Sequence, residues 1–219
     1  MCAFQVQDLG RMGYSQSFQM QRELVERRKR GEIPDQLLFV EHPHVITMGR
    51  NGHAQNVLAS PELLERAGIE FHQTDRGGDV TYHGPGQVVG YPIFDLRDWR
   101  RDVVAYLRGI EQAILDALAG FGIAGCRVPG LTGVWVDGKK IAAIGVHISR
   151  WVTSHGFALN VSTDLDYFRY IVPCGLTQPV TSMRELGSGA SRKEVVDALV
   201  RGFSGTFGIA VQEKLTLHP

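Results

Sequence analysis

Cysteine is scarce: Cys2, Cys126 and Cys174 are the only three in 219 residues. An odd number without a C-x-x-C pair argues against a disulfide scaffold or a zinc ribbon. It fits a reducing compartment, the cytoplasm, with at least one thiol free. Net charge is missing as well, since 23 Lys and Arg offset 23 Asp and Glu. No global basic field is therefore available for nucleic acid. No apolar run approaches the ~18 residues of a membrane span, and the polar segment after Met1 does not read as a signal peptide. A Gly/Ser/Pro-rich linker, a charge block and a low-complexity run are also lacking. Residues 1–219 thus read as a single domain, long enough to bury a proper core.

What is present alternates between strand and helix patterns. "AFQVQDLG" predicts a first strand. Tyr14 to Arg30 predicts a helix with Tyr14, Phe18, Leu24 and Val25 on its apolar side and Gly31 as its stop. "QLLFVEHPHVITMGR" reads as strand material broken at Pro43. Ser60-Pro61 opens a short helix that Gly68 closes, and "IEFHQTD" is another strand. Arg101 to Phe121 carries the clearest 3.6-residue period, through Val103, Val104, Leu107, Ile110, Ile114, Leu115 and Leu118. Asp137-Gly138 marks a hairpin turn inside "GVWVDGKKIAAIGVHI", and "SHGFALNVS" pairs next. Ser191 and Glu194 form a capping box ahead of Val195, Val196, Leu199, Val200 and Phe203, and "IAVQE" ends the fold as a strand. Strands in groups with helices between them predict an α+β sheet rather than a doubly wound parallel one.

Several motifs lead nowhere. "GVWVDGKK" resembles a phosphate loop but ends in lysine where a hydroxyl would hold magnesium, and it lies in a hairpin. Gly84, Gly86 and Gly90 miss the dinucleotide spacing. His42 and His44 lack the acidic or thiol partners of a metal site, so no metal is expected. "RRKR" at residues 27–30 complements the carboxyl end of its helix or docks an acidic partner. Arg97, Arg100 and Arg101 are a second basic cluster, either solvated or facing an acidic carrier.

Two residues carry chemistry of their own. Cys174 sits in "IVPCGL", where Pro173 stiffens the approach and Gly175 leaves the thiol uncovered; it is either an inert core thiol or a nucleophile. In a regular second hairpin strand, Lys140 shares a face with Ala142, Ile144, Val146 and Ile148, and Lys139 shares the other with Ile141, Ala143 and His147. One lysine then points into apolar surroundings, where desolvation favours a neutral amine able to accept a proton, unless Lys140 snorkels past the turn. A thiol and such a lysine make a workable pair. The lysine takes the thiol proton and the thiolate attacks an acyl carbonyl.

The segment "RGGDVTYHGPGQVVGYPI", Arg76 to Ile93, puts unusual amounts of glycine and proline among strands. Together with "GVWVDGKKIAAIGVHI", "HGFALNVSTDL", "IVPCGL" and "EHPHVITMGR", it resembles the lipoyl(octanoyl) transferase family over nearly the whole chain. The resemblance implies a biotin/lipoate protein ligase catalytic-domain fold, a mixed β-sheet with flanking helices. It implies transfer of an octanoyl group from octanoyl-acyl carrier protein to a lysine of lipoyl domains, those of 2-oxoacid dehydrogenase complexes and the glycine cleavage H protein. No cofactor is implied. Cys174 would carry the acyl thioester and Lys140 would lower its pKa and act as acid/base. The acyl site would be lined by Arg76, Gly77, Gly78, Asp79, Val80, Thr81, Tyr82 and His83, by Ala143, Ile144 and Gly145, and by Gly156, Phe157 and Ala158. Within that lining, Arg76, Asp79 and Tyr82 read as wall-builders, while His83 holds the loop, orients the acyl group or assists proton transfer. Two other readings stay open: an ATP-dependent lipoate or biotin ligase of the same fold, and a non-catalytic module that binds acyl carrier or lipoyl domains.

Overall fold

The computed structural model describes residues 3–172 and 179–216, with side chains to residue 212. In chain order the elements are β1 (Ala3–Arg11), α1 (Tyr14–Lys29), β2 (Asp35–Glu41), β3 (Val45–Met48), α2 (Pro61–Arg66), β4 (Glu70–Gln73), β5 (Val80–His83) and β6 (Gln87–Ile93). They continue with α3 (Val103–Ala119), β7 (Val134–Val136), β8 (Lys139–Ser149), β9 (Val152–Asn160), α4 (Arg192–Phe207) and β10 (Ala210–Thr216). Seven strands form one sheet in the order β10-β1-β2-β6-β9-β8-β7, and β4-β3-β5 form a smaller one. The large sheet is mixed. β1 runs parallel to both β10 and β2, and every other pairing in it is antiparallel.

The large sheet is covered on both faces, and β2 shows why "LLFV" does not alternate. Leu37 and Phe39 point to the side of α3 and α4, with Ile110, Ile114, Leu199 and Phe203. Leu38 and Val40 point to the side of α1, with Leu24 and Val25. A strand buried on both faces needs apolar residues at every position. The small sheet has its own core, in which Ile46, Val80 and Tyr82 meet Leu64, Ile69 and Ile171.

Local signals set the element ends. Ser60 accepts a hydrogen bond from the Leu63 N–H, with Pro61 in the first turn. Ser191 and Glu194 cap α4 reciprocally. Asp137 and Gly138 have φ of 47° and 74°, the left-handed pair of a two-residue hairpin turn. The helix expected from Arg101 begins later. Val103 and Val104 are exposed, because the buried stripe of α3 starts at Tyr106.

The basic clusters are largely spent inside the fold. Arg28 reaches Asp35, Asp95 and Asp98 at 2.7, 3.6 and 2.5 Å. Arg97 chelates Asp95 and Arg100 pairs with Asp102, so of the three arginines read as either solvated or carrier-facing, two have carboxylates of their own.

A candidate acyl cleft

The register of β7 and β8 decides where Lys140 points. Val134 pairs with Ala142 but Trp135 pairs with Lys140, so β8 carries one extra residue. This bulge puts both Ile141 and Ala142 into the core beside α3 and α4 and turns Lys140 to the opposite face. The expectation of a regular strand is thereby corrected. Lys140 shares its surroundings with Ala143, Ala158, Thr81, Gln87 and Asn160, and not with Ile144, Val146 and Ile148. Lys139 is exposed, whereas Lys140 is only 8% exposed and holds Nζ 4.9 Å from the Trp135 ring centroid.

Beside Lys140 a cleft opens on the α1 side of the sheet. Its lining includes Arg76, Gly78, Thr81, His83, Ala143, Ile144, Gly145, Gly156, Phe157 and Ala158, so β5, β8 and β9 converge on one space. Thr81, Ala143 and Ala158 border both this cleft and the Lys140 niche. Strand alternation separates the remaining residues of 76–83. Val80 and Tyr82 face the small core behind β5, where the Tyr82 hydroxyl lies 2.7 Å from His44 Nδ1. Gly77 donates to the Val146 carbonyl at 2.8 Å and fastens the loop to β8. Asp79 accepts from the N–H groups of His53 and Val80 and from the Asn56 amide. The Arg76 guanidinium binds the Thr47 carbonyl and hydroxyl. These contacts tie Arg76, Asp79 and Tyr82 into the structure around the cleft.

The sequence reading missed Tyr14, Val89, Tyr91 and His155 as lining. Tyr14 was visible as an apolar helix residue, but nothing local reveals that it meets Val89 and Tyr91 of β6 and His155 of β9 around one space. The floor is main chain where β8 and β9 pair through Gly145 and Gly156. A Cβ on Gly145 would stand 2.8 Å from the Gly77 carbonyl, and one on Gly156 would strike the Gly90 carbonyl.

The histidines around the cleft are held neutral. His42 Nδ1–H donates to the Met12 carbonyl at 2.7 Å, which leaves Nε2 to accept the Tyr91 O–H at 2.8 Å. Burial pushes His42 down to about 4. Burial, aided by His42, pushes His83 down to about 3. His155 is also lowered by burial, against the pull of Asp75, whose carboxylate accepts from Nε2 at 2.7 Å. That hydrogen bond holds Asp75 at about 2. In an unfolded chain these histidines titrate near ~6.5. The unfolded state therefore binds more protons below that pH, so stability is complete above about 6.5 and falls toward pH 4. The unfolding midpoint is expected to drop by about 5 °C or more between pH 7 and pH 5. Calorimetric scans at both pH values measure this, and equal midpoints would mean that the rings are not kept neutral.

Cys174 and the rest of 173–178 lie outside the described residues, but both flanks are anchored. Val172 N–H donates to the Asn56 carbonyl at 2.7 Å. On the far side Lys140 N–H donates to the Pro179 carbonyl at 2.9 Å, and Thr181 N–H to the Lys140 carbonyl at 3.0 Å. Cys126 is exposed in its loop, and Cys2 is outside the described residues. Among the described residues no cluster of three metal-ligating side chains occurs, and no helix is long and apolar enough to cross a membrane.

The pattern of the lipoyl protein ligase A/B catalytic domain matches residues 13–204. An octanoyltransferase of Solibacter usitatus is 63% identical over 92% of this chain and 92% of its own. The chain belongs to the octanoyltransferase family. A second family member, from Koribacter versatilis, is 54% identical over 93% of this chain and 84% of its own. Among solved structures, lipoate-protein ligase A bound with ATP superposes with a TM-score of 0.79 at 20% identity, over all of this chain and 90% of the other. The biotin protein ligase of Aquifex aeolicus gives 0.55 at 11% identity, over 95% and 70%. The expected mixed-sheet ligase fold is therefore the observed one.

Proposed function

We propose that this chain, as a single catalytic domain, moves an octanoyl group from octanoyl-acyl carrier protein to a lysine of lipoyl domains through a thioester on Cys174. The acceptors are the lipoyl domains of 2-oxoacid dehydrogenase complexes and the glycine cleavage H protein, and the setting is the cytoplasm, where a thiol stays reduced. The observation that carries the reading is a buried lysine at the end of a narrow apolar cleft, with the main chain of Lys140 hydrogen-bonded to the segment that follows Cys174. Asp79 supports the other flank, because it holds Asn56 and Asn56 holds Val172.

In the first half-reaction Lys140 accepts the thiol proton and Cys174 Sγ attacks the carrier thioester. One carbon–sulfur bond forms, the carrier's breaks, and the proton leaves on the carrier thiol. In the second, the neutral acceptor amine attacks the octanoyl-enzyme. A carbon–nitrogen bond forms, the bond to Sγ breaks, and the amine loses one proton by way of Lys140 to Sγ. Conversion of thioester to amide is downhill, so no nucleotide is consumed, and turnover is ping-pong.

Intact-protein mass spectrometry after incubation with octanoyl-acyl carrier protein, without ATP, tests this. Peptide mapping is expected to find an octanoyl adduct on Cys174. If transfer instead requires free octanoate, ATP and magnesium, the chain is a ligase of the same fold.

A further inference from the structure

The acyl cleft contains a histidine whose tautomer is fixed by its neighbours. Asn160 Nδ2 donates to the Thr181 carbonyl at 3.0 Å, so Asn160 Oδ1 must be the acceptor for Gln87 Nε2 at 2.9 Å. Gln87 Nε2 also reaches the Tyr82 carbonyl at 3.3 Å. Gln87 Oε1 is then left to accept, and the donor 2.8 Å away is His83 Nδ1. The relay ends at Thr181, whose N–H binds the Lys140 carbonyl, and Gln87 and Asn160 line the niche around Lys140. His83 is thus the Nδ1–H form, with a lone pair on Nε2, and the ring lines the cleft. Arg76, Tyr91 and His155, which share that lining, are engaged with Thr47, His42 and Asp75.

An attacking lysine amine has two hydrogens. One is lost and the other survives as the amide N–H. The lone pair of nitrogen must meet the acyl carbonyl at a defined angle, which a long flexible side chain does not secure by itself. We propose that His83 Nε2 accepts a hydrogen bond from the N–H that stays on the acceptor lysine, and so aims its lone pair at the octanoyl carbonyl. This rests on the thioester reading above. His83 acts here as a hydrogen-bond acceptor and takes no proton. Its burial suits that role, since the ring stays neutral throughout the useful pH range. The first half-reaction, in which a thiolate attacks, presents no N–H to receive.

Two variants separate this role from a structural one. In His83→Asn, the amide can still donate to Gln87 from the position of Nδ1, but nothing stands at Nε2. In His83→Gln, a carbonyl oxygen returns near Nε2 while the bond to Gln87 is lost. Single-turnover rates are measured for acylation by octanoyl-acyl carrier protein and for transfer from isolated octanoyl-enzyme to a lipoyl domain. H83N is expected to slow transfer at least about tenfold more than acylation. H83Q is expected to transfer faster than H83N although it melts lower. A structural histidine would rank the two the other way, and equal slowing of both halves, or of neither, overturns the proposal. If the wild-type protein forms no octanoyl-enzyme, the thioester reading itself fails, and the His83 role falls with it.

Discussion

Cys174→Ser lowers octanoyl transfer by about 10³-fold or more and leaves no acyl adduct in the mass spectrum. The argument is one of acidity. A thiol with an ordinary pKa near ~8.5 is within reach of a lysine amine, whereas an alcohol is many units weaker as an acid. One lysine can therefore generate a thiolate but not an alkoxide. The carrier substrate is itself a thioester, so acyl passage between sulfurs is nearly balanced and reversible, while an oxygen ester on serine would be a poorer acyl donor to the amine. Transfer to a purified lipoyl domain, followed by mass shift, gives the rate. A serine variant retaining a tenth of wild-type activity would falsify the nucleophile assignment.

Lys140→Met slows both half-reactions by about 10²- to 10⁴-fold, the usual range for loss of a general acid–base group. Methionine is chosen because it keeps most of the unbranched stem over Trp135 and so removes the amine with little change in packing. Alanine would leave a void in the niche formed with Phe168 and Val180. Without the lysine, thiolate must come from solution equilibrium. The acylation rate of the variant should therefore climb about tenfold per pH unit until the thiol is ionised. Rapid-mixing measurements of acylation from pH 6 to 9 follow this. A variant with wild-type rates, or one with no pH dependence, removes Lys140 from proton transfer.

The parts of this fold that were legible in the sequence are those set by short-range chemistry. The capping box at Ser191 and Glu194, the Asp137-Gly138 turn and the Ser60-Pro61 start each depend on a few adjacent residues, and each stands where expected. The face of Lys140 was misjudged because a bulge is a property of two paired strands, and neither "GVW" nor "KKIAA" reveals it alone. The order of the large sheet, with β1 between β10 and β2, joins opposite ends of the chain. Nothing local encodes such a pairing.

For the cleft, resemblance named the segments, but the geometry sorted them. Thr81 and His83 line the space, while Val80 and Tyr82 support it from behind, as a period of two requires. Val89 and Tyr91 line the cleft and also belong to the core on the α1 side of the sheet, so burial alone does not set them apart. The tautomer of His83 depends on donors and acceptors supplied from positions 82, 87, 160 and 181, a constraint that exists only once those segments meet.

The glycine floor of the cleft bears on how the enzyme could be inhibited. A compound bonded to the peptide groups of residues 145 and 156 would draw on atoms that every amino acid carries. Resistance usually arises when a side chain that grips a drug is exchanged for one that does not. Here such an exchange has nothing to remove, and any added side chain would collide with the Gly77 or Gly90 carbonyl and disturb the sheet. Escape by point mutation at those two positions would come at the expense of the strand pairing that floors the cleft.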